Sequence, residues 1–97
     1  MPPGSYPPPH LRAFVCVEVF EGTKPVLLVS REDGDWCFLC GGFHKDDNKW
    51  LRSVGIGHVF ERDPSLLALL DLNPDWEAER QDPSSPWIRT ELNAGEA

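Results

Sequence analysis

Ninety-seven residues, 40% of them apolar, are enough for one domain near the small end of what folds on its own core. Nine Lys and Arg against sixteen Asp and Glu leave a net charge of −7. That balance argues against gripping a phosphate backbone or an anionic bilayer, both of which need clustered cations. No apolar run approaches the ~18 residues of a membrane span.

The charge is uneven. Residues 1–60 hold seven acids and six bases, and residues 61–97 hold nine acids and three bases. Three cysteines in no regular spacing do not make a disulfide framework. Met1–Arg12 lacks the basic start and apolar stretch of a secretion signal. The expected setting is the cytoplasm, with reduced thiols.

Residues 1–11 open with Met-Pro-Pro-Gly-Ser-Tyr-Pro-Pro-Pro, which neither a helix nor a central strand accepts, and read as an extended arm. Residues 12–92 then read as a single domain, and residues 93–97 as a frayed tail. Ala13–Glu21 alternates Val15, Val17 and Val19 against Phe14, Cys16, Glu18 and Phe20, which predicts a central strand. Val26–Arg31 and Trp36–Cys40 are the next two strands. Asp33-Gly34 between them predicts an antiparallel hairpin, with Trp36 and Phe38 on one face and Cys37 and Leu39 on the other.

Phe43–Lys49 is a polar loop, and Val54–Phe60 reads as a strand weakened by two glycines. The strongest helix signal follows. Asp63 caps, Pro64 takes the first helical position, and Leu66, Leu67, Leu69 and Leu70 form an apolar face before Asn73-Pro74 ends it. Trp76–Gln81 and Trp87–Leu92 are the last strand candidates, separated by the turn Asp82-Pro83-Ser84-Ser85-Pro86. The sum is an α+β fold: an antiparallel sheet of about four to six strands with one short helix packed on one face.

Chemistry-bearing motifs are few. Cys37-Phe-Leu-Cys40 with His44 and His58 has the residue types of a zinc site. Residues three apart in a strand point to opposite faces, however, so both sulfurs meet one metal only across a bend. The same pair lacks the helix N-terminus that a redox dithiol uses. Gly55-Ile-Gly57 lacks the third glycine of a dinucleotide loop, and Asp46-Asp47 reads as a solvated pair. No catalytic residue, metal or cofactor is expected. Asp71, Asp75, Glu77, Glu79 and Asp82 are the candidate partner-binding residues, Glu77 and Glu79 sharing one strand face opposite Trp76 and Ala78.

Trp36-Cys-Phe-Leu-Cys-Gly-Gly, Asp63-Pro-Ser-Leu-Leu-Ala-Leu-Leu-Asp-Leu and Trp76-Glu-Ala-Glu-Arg together resemble a family of small bacterial domains of unknown function. Part of that family consists of immunity proteins of polymorphic toxin systems. The resemblance spans about residues 25–89 and carries no catalytic residue. The loop Phe43–Trp50 departs from the family pattern. The resemblance implies a non-enzymatic protein-binding domain that neutralises a toxin by occlusion, and the acidic balance of residues 61–97 makes the expected partner a basic protein. The alternatives are a small metal-binding protein or enzyme using Cys37, Cys40, His44 and His58, and a homo-oligomeric module.

Overall fold

The computed structural model describes residues 8, 10–42 and 49–92. The loop carrying His44 and Asp46-Asp47, most of the proline-rich arm and the tail 93–97 lie outside the described residues.

Six strands make one mixed sheet: β1 (Arg12–Cys16), β2 (Leu28–Ser30), β3 (Cys37–Leu39), β4 (Leu51–Gly55), β5 (Trp76–Glu79) and β6 (Ile88–Glu91). Their order is β4-β1-β3-β2-β5-β6. Every neighbouring pair is antiparallel except β1 and β3, which run parallel with Phe14 opposite Cys37 and Val15 opposite Phe38. The expected all-antiparallel sheet is corrected at that one pair.

The β2–β3 hairpin forms where Asp33-Gly34 predicted it. Asp33 and Gly34 take φ of 55° and 85°, and Asp35 N–H donates to the Glu32 carbonyl at 3.0 Å. Two successive left-handed residues match the right-handed twist of the flanking strands, and glycine takes the second position without a Cβ penalty.

Two expected strands are shorter than their sequence pattern. Ala13–Glu21 yields β1 and then the helix α1 (Val17–Glu21). Val17 N–H still reaches the Trp50 carbonyl at 2.7 Å, but the neighbouring strand β3 is only three residues long. The chain bends over the end of the sheet, and Gly22 at φ 79° closes the helix by donating to Glu18 and Val19. Val54–Phe60 likewise divides into the end of β4 and the helix α2 (Ile56–Arg62). Ile56, Val59 and Phe60 are buried, which is helical spacing. Val, Ile and Phe carry strand propensity, and packing overrides it here.

The predicted leucine helix exists, but as a 3-10 helix, Pro64–Leu69. Asp63 caps it by accepting from Ser65 N–H at 3.1 Å, with Pro64 in the first turn. Its inward residues are Leu66, Leu69 and, just beyond, Leu72, all fully buried. Their spacing of three matches the three-residue turn of this helix. Leu67 and Leu70 only pack against the core's edge. Among the described residues, the expected single helix is therefore corrected to two α-helices, this 3-10 helix and a one-turn 3-10 segment, Glu32–Gly34, in the β2–β3 connection.

These helices bury one face of the sheet. Ala13, Val15, Phe38, Val29 and Ala78, alternate residues of five-residue or shorter strands, cluster with Ile56, Val59, Phe60, Leu66, Leu69 and Leu72. Phe38 lies at the centre, stacked on Trp36 at 5.8 Å and met edge-on by Phe60 at 5.9 Å. Arg31 caps the cluster from above, 4.3 Å from the Trp36 ring centroid.

Candidate functional site

The period of two that points Ala13, Phe38, Val29 and Ala78 inward points their neighbours to the opposite face. The register fixes which residues meet there. Phe14, Cys37, Ser30, Glu77 and Thr90 form one row across β1, β3, β2, β5 and β6, with Ser53 of β4 beside Phe14. Leu39, Leu28, Glu79 and Ile88 form the next row, and Leu51 of β4 stands opposite Cys16.

This face differs in kind from the first. Phe14, Leu28, Leu39 and Leu51 are half-buried rather than buried, and Ile88 is 63% exposed. Glu77 and Glu79 of β5 follow the apolar run Phe14, Leu39 and Leu28 and separate it from Ile88 of β6, and Arg12 lies on the same face at the start of β1. Partly exposed apolar residues next to carboxylates make this face the candidate surface.

The five acidic candidates do not form one surface. Glu77 and Glu79 share the second face with Leu28 and Ser30. Asp71 stands on the 3-10 helix side, where Arg89 donates to its Oδ1 at 2.9 Å and holds its carboxyl below the usual value. Asp75, at φ 64°, accepts from Asp33 N–H at 2.9 Å and stitches two turns together. Asp82 accepts from Ser84 N–H at 2.8 Å, which lowers its pKa. Three of the five thus have local structural partners.

The cysteines are also regrouped. Cys37 lies on the second face, and burial, followed by the nearby Cys16, Glu32 and Asp35, pushes its thiol up to about 11. Cys40 turns instead toward Cys16, whose Sγ accepts from Cys40 N–H at 3.3 Å. Burial raises the Cys16 thiol pKa as well. Donor atoms of Cys16, Glu18 and Cys40 lie within 4.8 Å of one another. His58 sits on α2, exposed, 3.7 Å from Glu61. Among the described residues, Cys37, Cys40 and His58 therefore do not converge on one point. The bend at Gly41, φ 79°, comes after the second cysteine.

Cys16 and the apolar residues of the second face escape a sequence reading for one reason. Alternation assigns residues to faces within a strand, but only strand order says that Leu39, Leu28 and Glu79 are neighbours. No family model, curated protein or solved structure matches this chain.

Proposed function

We propose that this chain is a non-enzymatic protein-binding domain that docks a basic partner on the second face of its sheet, as an immunity-type protein neutralises a toxin by occlusion. The observation that carries this reading is the strip Phe14, Leu39, Leu28 and Ile88 lying beside Glu77 and Glu79. Apolar contact supplies affinity, and the two carboxylates, in a chain of net charge −7, supply steering toward Lys and Arg. A toxin that grips phosphate offers such a basic surface. The expected setting of this encounter is the cytoplasm.

The test is capture of the partner from a lysate of the source cell, followed by hydroxyl-radical footprinting of the purified complex. Protection of Phe14, Leu28, Leu39 and Ile88 by a basic partner supports the reading. Protection confined to the helix side overturns it.

A second reading, a metal-binding protein, is supported by Cys16, Glu18 and Cys40, which among the described residues bring their donor atoms together.

A further inference from the structure

On the helix side of the sheet, away from the docking face, a cleft of about 520 Å³ opens between α1 and α2. Its volume falls within the roughly 300–1,000 Å³ of small-molecule sites. Val15 and Val54 form its floor, and Val19, Phe20, Val59 and Leu66 its walls. Phe20 is 46% exposed at the rim, a large apolar ring left in water.

The mouth is of a different chemistry. Lys24, His58, Arg62 and Asp63 border it. The Asp63 carboxylate is engaged by Ser65 and by Arg80. His58 faces Glu61. Lys24 and Arg62 thus bring two cations to the opening, against Asp63, which Arg80 pairs, and the exposed Glu61 beside His58.

Arg62 is held there by the fold. Its Nη1 donates to the Phe20 carbonyl at 3.0 Å. Its Nη2 packs so closely on Gly22 that a Cβ at that position would stand 2.7 Å away. The glycine that ends α1 thus also seats the guanidinium over the cleft.

We propose that this cleft binds a single-chain aliphatic carboxylate, its tail between α1 and α2 and its head group on Lys24 and Arg62. The apolar interior takes the methylenes, and the two cations supply charge-assisted hydrogen bonds to the carboxylate.

The test uses decanoate, octanoate and hexanoate below their micelle concentrations, with 1-decanol and decyltrimethylammonium as head-group controls, in titration calorimetry. The expected result is saturable binding of one decanoate per chain, tightening about fourfold per methylene along the series. Lys24→Gln with Arg62→Gln should weaken decanoate about tenfold and leave decanol unchanged. Val19→Trp should fill the cleft and abolish both. The Lys24 and Arg62 changes are at exposed positions and preserve the fold if Val19→Trp does not. Absence of saturable binding would overturn the proposal. So would decanol or the ammonium binding as tightly as decanoate, or indifference to the paired Gln variant. Because the docking face lies on the other side of the sheet, these outcomes leave the partner-binding reading to its own test.

Discussion

Arg80 and Asp63, at the end of β5 and the entry to the 3-10 helix, meet with Nη2 3.4 Å from Oδ2. The Arg80 side chain is only 2% exposed and that of Asp63 31%, so a buried cation meets a half-exposed carboxylate. Arg80 Nε and Nη2 also donate to the Val26 carbonyl at 3.0 and 2.9 Å, and its guanidinium lies 4.3 Å from the Trp87 ring centroid. One cation ties the end of β5, the approach to β2, the 3-10 helix and the approach to β6 together.

Asp63 therefore acts both as a helix cap and as a counter-charge. A cap alone is worth about 1 kcal/mol. Removing a partner from a buried charge costs more, moderated here by the carbonyls Arg80 keeps. Asp63→Ala is expected to cost about 2–3 kcal/mol in urea melts, and Asp63→Asn less because the cap survives. A loss of only about 1 kcal/mol for Asp63→Ala, with none for Asp63→Asn, would show that the ion pair contributes nothing.

The 3-10 geometry makes a prediction that an α-helix would not. Leu66 and Leu69 point inward with Leu72, whereas Leu70 is half-buried. Leu66→Ala and Leu69→Ala should each cost about 2–5 kcal/mol. Leu70→Ala should cost clearly less. Denaturant midpoints at constant m-value decide it, and a Leu70 loss equal to that of Leu69 would contradict the packing described.

Asp71 gives a pH test. Its carboxyl is held below the ordinary 3.8, chiefly by the hydrogen bond from Arg89. Stability from such a group is fully present above the unfolded pKa and is lost as pH falls through the folded one. Asp71→Asn should narrow the gap between neutral and acid stability below pH 3.8, most visibly at low salt, since the pair is on the surface. Parallel pH–stability curves for parent and variant would show that the Arg89 contact is not maintained in solution.

The regrouped cysteines bear on the metal-binding alternative. Protein purified without chelator is expected to hold no stoichiometric metal by element analysis. Zinc near one per chain, lost on Cys16→Ser or Cys40→Ser but retained on Cys37→Ser, would install the second reading at the Cys16 cluster. At pH 8 about one Cys37 thiol in a thousand is ionised, so its alkylation should be slow and should accelerate steadily with pH. Rapid labelling of Cys37 near neutrality would contradict its half-buried place in the sheet.

Much of the fold was legible in the residues. Asp33-Gly34 specified a hairpin because its φ demands are local, and Asp63-Pro64 specified a helix start for the same reason. What escaped was set by distant partners. Val17–Glu21 alternates like a strand, yet it becomes a helix where the sheet runs out. Ile56, Val59 and Phe60 carry a helical period that Gly55 and Gly57 disguise. The parallel pairing of β1 with β3 leaves no trace in either segment, because it depends on the path between them. The acidic residues were visible, but their dispersal was not. Asp75 and Asp82 serve turns, and that is readable only once their hydrogen bonds are known.

The central claim concerns Glu77 and Glu79 on the proposed docking face. The most direct measurement is the association rate of the captured partner with parent protein and with Glu77→Lys/Glu79→Lys, across a salt series. Steering between exposed charges is screened beyond about 8–10 Å at physiological salt. Association of the parent should be fast at low salt and slow markedly as salt rises. The charge-reversed protein, its fold intact by circular dichroism, should associate slowly throughout. A partner that binds both forms alike, with no dependence on salt, would contradict the account and leave Glu77 and Glu79 as solvated surface.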